Sequence, residues 1–130
     1  DQIAREARAM ENERIARQAR IYARKTIRKW LAEGKIHPKF DIIIPSTQTE
    51  MVTDGRAMSN CIGGYWEHSD WKQGSTELAF IHCDGKPYID LEFREGKICQ
   101  ARYCKNETVP TNSKDYALCE FVTKAFAKVA

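Results

Sequence analysis

From Glu77 onward, polar and apolar residues alternate with a period of two through Leu78–His82, Tyr88–Phe93 and Ile98–Tyr103. Successive side chains of a strand point to opposite sides, so this alternation belongs to a sheet with two unlike faces. Asp84-Gly85 and Glu95-Gly96-Lys97 fill the gaps. Gaps this short join neighbouring strands as hairpins, which makes the block three consecutive antiparallel strands. The pattern also sets a register. With a three-residue second loop and Gly96 in the left-handed region, Phe93 opposes Cys99, Leu91 opposes Ala101 and Ile89 opposes Tyr103. The other face then pairs Glu92 with Gln100 and Asp90 with Arg102. A slip of one residue would mix apolar with polar partners.

Helices flank this block. Residues 2–33 contain neither Pro nor Gly, are rich in Ala, Arg and Glu, and are followed by Gly34 at a C-cap position. At 100° per residue, Ile15, Ala16, Ala19, Tyr22, Ala23, Ile27 and Trp30 share one face, whose strong end, Tyr22 to Leu31, is expected to dock on the core. Arg14, Arg17, Arg20, Arg24 and Arg28 line the other. Phe40–Ile44 reads as a short strand stopped by Pro45. Ser46 to Met58 reads as a capped helical turn, with Ser46 or Thr47 as N-cap, Glu50 at the capping-box spacing and Gly55 at its end. A last helix from about Ser113 to Val129 carries Tyr116, Leu118, Cys119, Val122, Ala125, Phe126 and Val129 as the stripe that covers the sheet. The expected fold is α+β: a long basic N-terminal helix, a three- to four-stranded antiparallel sheet and a C-terminal helix packed on it. Residues 1–36 form the arm and 37–130 the core.

The charge is divided between these parts. The chain of 130 residues has a formal net charge of +3. Residues 1–36 hold ten Lys/Arg against five Asp/Glu, a net of +5, and the remaining 11 basic and 13 acidic residues give −2. Five arginines over roughly 14 residues cover about 21 Å of helix, enough to follow several phosphates. The structural alternative is a solvated helix face.

Cys61, Cys83, Cys99, Cys104 and Cys119 are odd in number, and none forms a C-x-x-C pair. That favours free thiols in a reducing cytoplasm over a secreted disulfide framework. No apolar run approaches the ~20 residues of a membrane span, and no membrane partner is expected. The first residue is Asp, which fits a processed or excised piece of a longer protein.

The least generic stretch is Gly55-Arg-Ala-Met-Ser-Asn-Cys-Ile-Gly-Gly-Tyr65. It places the Cys61 thiol beside Gly63 and Gly64, where backbone can approach closely. A thiolate becomes a nucleophile when a cation, a helix N-terminus or a base lowers its pKa, and His68 and His82 are the nearest bases in sequence. The bland reading is a packed cysteine beside a tight turn. On the sheet, Glu92 and Asp90 are candidates to hold a divalent metal with Gln100 or Arg102 orienting a phosphate, against a reading as cross-strand pairs on a solvated face. His82, Cys83, Cys99 and Cys104 have zinc-ligand chemistry without zinc-knuckle spacing. No metal and no cofactor is therefore expected.

Met58-Ser-Asn-Cys-Ile-Gly-Gly-Tyr65, Lys86-Pro-Tyr-Ile-Asp-Leu-Glu92, Gly96-Lys-Ile-Cys-Gln-Ala-Arg102 and Asn106 together resemble the PcfJ-like family of phages and conjugative plasmids. The resemblance runs from about Ile42 to the C-terminus. Cys61, Gly63, Tyr65, Glu92, Gln100 and Asn106 match the family hallmark, while its histidine is absent, with Ser59 and Asn60 standing before Cys61. The resemblance implies an origin in a mobile element of a bacterial cell.

Three functional expectations follow. The first is an accessory domain of a phage or plasmid that binds nucleic acid, a nucleoprotein or another acidic surface through Arg14, Arg17, Arg20, Arg24 and Arg28, and is not an enzyme. The second is a thiol- or metal-dependent enzyme, nuclease-like in the latter case, with Cys61, Glu92 and Gln100 as catalytic residues and Met58, Asn60, Gly63, Gly64, Tyr65 and Asn106 as the supporting motif. The third is a phage inhibitor of a host defence complex.

Overall fold

The computed structural model describes residues 1–130 except 35, 46, 61, 68–70, 72–74 and 129–130, and except the side chains of Ala16, Ala19 and Leu31. Cys61, His68, Val129 and the alternative cap Ser46 therefore lie outside the described residues.

The protein is α+β. Helix α1 (Gln2–Ala32) leads to β1 (Phe40–Ile43), α2 (Gln48–Met58) and a 3-10 turn (Ile62–Glu67). Strands β2 (Glu77–Cys83), β3 (Lys86–Arg94) and β4 (Lys97–Arg102) follow, then a second 3-10 turn (Cys104–Asn106) and α3 (Lys114–Ala127). The four strands form one antiparallel meander in the order β1-β2-β3-β4. The short Phe40 segment joins as an edge strand because Phe40 to Ile43 pair in register with Cys83 to Phe80.

Alternation gives the sheet two faces, and both are covered. Ala79, Ile81, Ile89, Leu91, Phe93 and Ala101 pack against α3 through Leu118, Cys119, Val122 and Phe126, and Ala23 and Ile27 of α1 close the same core. Phe93 and Phe126 meet edge to face, with centroids 4.9 Å apart. Leu78 and Phe80 face the other way, onto Met51 of α2 and Ile62 of the first 3-10 turn. Helix α1 is roughly 46 Å long at 1.5 Å per residue. Its first ten residues, 2–11, are exposed on every side, Ile15 packs partly against the core, and its fully buried Ala23 and Ile27 lie in the C-terminal half.

Three expectations need correction. The β3–β4 turn has two residues, Glu95 and Gly96, with φ of 50° and 76°. Phe93 therefore opposes Ile98, and a bulge after Glu92 leaves Cys99 exposed instead of facing the apolar side. Leu91–Ala101, Glu92–Gln100 and Asp90–Arg102 pair as the pattern requires. Tyr103 lies just beyond β4, so the expected Ile89–Tyr103 pair is not part of the ladder; its hydroxyl and that of Tyr88 both donate to Asp115 Oδ2, at 2.6 and 2.7 Å.

The third correction concerns α2. Thr47 caps it, accepting from the Glu50 amide at 3.2 Å, but Gly55 does not end it. The helix continues to Met58 and stops at Ser59, whose φ of 53° is left-handed. Gly55 sits mid-helix because the chain folds back over it: a Cβ there would stand 2.7 Å from the Gly63 backbone nitrogen.

Candidate functional site

The end of α2 directs a cluster of polar groups onto β3. Ser59 turns the chain, and the Asn60 amide donates back to the Gly55 carbonyl at 3.1 Å. A non-glycine residue in this conformation costs about 1–2 kcal/mol. The turn aims Asn60 into the sheet, where its Nδ2 donates to Asp90 Oδ2 at 2.5 Å and its Oδ1 accepts from the Ile62 amide at 3.0 Å. Five residues on, the Tyr65 hydroxyl donates to Glu92 Oε1 at 3.2 Å. Two of the three sequence blocks of the motif thus meet through side-chain hydrogen bonds.

Asp54 enters the same cluster from inside α2. It lies with Met51, Gly55 and Met58 on the buried side, and His82 Nε2 of β2 is 2.9 Å from its Oδ1. Asp54 and Asp90 are each only 3 % exposed and Glu92 8 %. Asp54 Oδ2 and Asp90 Oδ1 are buried and receive no hydrogen bond from any other group, and the two carboxyls are near enough for a shared proton to link them. Two carboxylates cannot be linked without a proton between them. Burial, then the Asp54 hydrogen bond and charge, push Asp90 up to about 9, so Asp90 holds the shared proton at neutral pH. Asp54 is also raised, by burial. Burial pushes His82 down despite the nearby acids Asp41 and Asp90, which keeps the ring neutral, and its Nε2–H donates to Asp54. The result is a chain of hydrogen bonds running His82–Asp54–Asp90–Asn60.

The expected residues are distributed around this cluster. Glu92 is in it, and Arg94 Nη2 approaches Glu92 Oε2 at 3.7 Å. Gln100 is the cross-strand partner of Glu92 but is exposed. Arg102 turns away from Asp90 and donates to the Thr108 hydroxyl. Met58 is 1 % exposed and packs as core. Gly63 touches Val52 of α2, with 3.4 Å from its ideal Cβ to the Val52 Cα, whereas Gly64 has open space around it. Asn106 is exposed with φ 61°, in a turn held to α2 by Cys104 Sγ at 3.9 Å from the Ala57 carbonyl. The zinc set is dispersed: Cys83, Cys99 and Cys104 contact Asp84, the Lys97 carbonyl and the Ala57 carbonyl respectively. Among the described residues no three His, Cys, Asp or Glu side chains are grouped to hold a metal ion.

Asp54 and the role of His82 as its partner were not anticipated. The signal was present: Met51, Asp54, Gly55 and Met58 have the i, i+3, i+4, i+7 spacing of a buried helix face, and an acid on such a face needs a polar partner inside.

The arginines of α1 divide. Arg14 is bound to Glu11, with Nη2 to Oε1 at 2.5 Å, and Arg20 reaches Glu50 of α2 at 3.3 Å. Arg17, Arg24 and Arg28 are exposed on the flank of α1 beside its buried face, and Lys25 and Lys29 are exposed further round. Among the described residues, no helix is long and apolar enough to cross a membrane.

No protein-family profile and no solved structure matches the chain. Over 78 residues it is 30% identical to a protein of Listeria innocua named Uncharacterized protein Lin1253/Lin1744, a match covering 56% of this chain and 17% of that protein. The chain is thus similar to a small part of a longer Listeria protein.

Proposed function

We propose that this chain is an accessory domain of a phage or plasmid, working in the cytoplasm of a bacterial host and binding nucleic acid or a nucleoprotein along the outer face of α1. The observation that carries this reading is the placement of Arg17, Arg24 and Arg28 on the exposed side of α1, with Lys25 and Lys29 beside them. Positive charges spaced along a rigid rod match a line of phosphates. The mobile-element part draws on the resemblance to PcfJ-like proteins. The triple variant Arg17→Glu/Arg24→Glu/Arg28→Glu should bind DNA at least about 100-fold more weakly at low salt. It should also flatten the slope of log K against log salt by roughly 2–3, one phosphate contact per arginine. Unchanged affinity and slope by fluorescence anisotropy would remove the proposal.

The second reading, a reaction at Cys61, is favoured by the contacts Asn60–Asp90 and Tyr65–Glu92, which tie both sides of the cysteine's segment to the strand acids. It expects Cys61 to be alkylated by iodoacetamide at least about tenfold faster than Cys83, Cys99, Cys104 and Cys119 in the folded protein. Cys119 is a suitable internal slow standard, since burial pushes its thiol up to about 12. Equal rates at Cys61 and the exposed Cys99 and Cys104 would sink it. The side chain that Asn60 reaches is an acid, not a cation or base of the kind that lowers a thiol's pKa, so the arm is the stronger reading.

A further inference from the structure

Helices α1 and α3 meet through Trp30 and Phe121, whose ring centroids are 3.7 Å apart. Beside that contact they leave a groove of about 460 Å³ lined by Tyr22, Trp30, Phe121 and Ala125, with Lys124 and Lys128 also on its walls. That volume falls within the roughly 300–1,000 Å³ of sites that take small organic groups. The three rings are half-buried. One acid, Glu120, is among the lining residues.

The groove is continuous with the basic face of the arm. On a 100° projection, Lys25 and Lys29 fall between Arg28 and Tyr22. Both lysines are exposed, so positive charge continues around α1 from the arginines to the mouth of the groove, and Lys124 and Lys128 extend it onto α3. A duplex has its bases stacked inside and offers such a surface only phosphates. A single strand offers phosphates and unstacked bases together, and aromatic rings beside a basic track are what it needs.

We infer that the α1–α3 groove receives an unstacked base of a single strand whose backbone follows α1, so that the nucleic acid bound is single-stranded. The inference rests on the reading of the arm as a nucleic-acid interface. Tyr22 and Trp30 present ring surface to the base, and Lys124 and Lys128 neutralise the flanking phosphates.

The test is fluorescence anisotropy of the full chain with labelled oligothymidylate and with a duplex of equal phosphate count, using poly-glutamate as an anionic competitor. The single strand should bind about tenfold or more tightly than the duplex. Tyr22→Leu, which keeps an apolar side chain but removes the ring, should cost single-strand affinity roughly five- to a hundredfold, the range for one stacked base. Lys124→Glu/Lys128→Glu, a surface change, should abolish the preference for single strand while leaving most of the duplex affinity. Equal binding of both probes, indifferent to Tyr22→Leu and to the lysine reversals, would overturn the groove and leave the arm standing. Binding of neither probe would remove both readings. Displacement by poly-glutamate at lower charge concentration than by unlabelled oligothymidylate would overturn the inference in favour of an acidic protein surface.

Discussion

Gly55→Ala should destabilise the protein by about 3 kcal/mol, although alanine in place of a helix-interior glycine ordinarily gains about 1 kcal/mol. The reversal of sign comes from one contact. The new Cβ would stand 2.7 Å from the Gly63 nitrogen, 3.4 Å from its Cα and 3.5 Å from Asn60 Oδ1. The first of these is backbone, which cannot rotate away. Relief requires the Ile62–Glu67 turn to move off α2, and that turn carries Tyr65 and gives the Ile62 amide that Asn60 Oδ1 accepts from. The contacts to Glu92 and Asp90 should loosen together, along with the packing of Trp66 on Trp71, whose ring centroids are 5.0 Å apart. Urea unfolding checks the stability, and near-ultraviolet circular dichroism checks the tryptophan pair. Gly64→Ala is the control: nothing lies within 4 Å of its ideal Cβ, so its effect should stay within about 0.5 kcal/mol. A Gly55→Ala variant as stable as the native chain would mean that α2 and the turn are not packed backbone to backbone.

The same glycine shows where sequence reasoning succeeds and where it stops. Alternation is a local signal, so the three strands, the Glu92–Gln100 and Asp90–Arg102 pairings and the apolar stripe of α3 follow from pattern alone. The turn at Glu95-Gly96 does not. A two-residue turn and a three-residue loop both put glycine in the left-handed region. They differ in whether Glu95 also accepts a positive φ and a bulge absorbs the extra residue. Gly55 has the composition of a helix stop, and only the return of Gly63 over α2 explains why it is interior. The acids of β3 have the period of a solvated face. They are buried because α2 and the 3-10 turn cover that face, and this long-range packing is invisible to a window of a few residues. Once Asp54 is recognised as an acid on a helix's apolar side, however, the need for an internal polar partner follows without coordinates.

Asp90→Asn should stabilise the protein at pH 8 by about 2 kcal/mol and have almost no effect at pH 4. In the folded protein, burial and the Asp54 hydrogen bond push the Asp90 carboxyl up to about 9, whereas in the unfolded chain it ionises near the ordinary value of 3.8. Between those limits the folded state holds a proton that the unfolded state has lost. The stability linked to Asp90 is therefore fully present below the unfolded pKa and is lost as pH rises through the folded one. An asparagine amide can occupy the role of the protonated acid: its oxygen accepts from Asn60 Nδ2, its nitrogen donates to Asp54, and nothing titrates. Glu77, which burial pushes up to about 8, loses its proton in the same window, so the variant should flatten the pH profile without abolishing it. Thermal unfolding between pH 4 and 9 measures this, with a rise in Tm of roughly 5–10 °C expected at pH 8. Asp54→Asn provides the contrast. Asp54 accepts from both His82 and the Asp90 proton, and an amide oxygen with a donating nitrogen beside it cannot serve both, so that variant should lose stability at every pH. If instead Asp90→Asn is destabilised at pH 8, or the two variants behave alike, the shared proton is not on Asp90. The chain His82–Asp54–Asp90–Asn60 would then run with the opposite polarity, its acid nearer to His82 than to the motif asparagine.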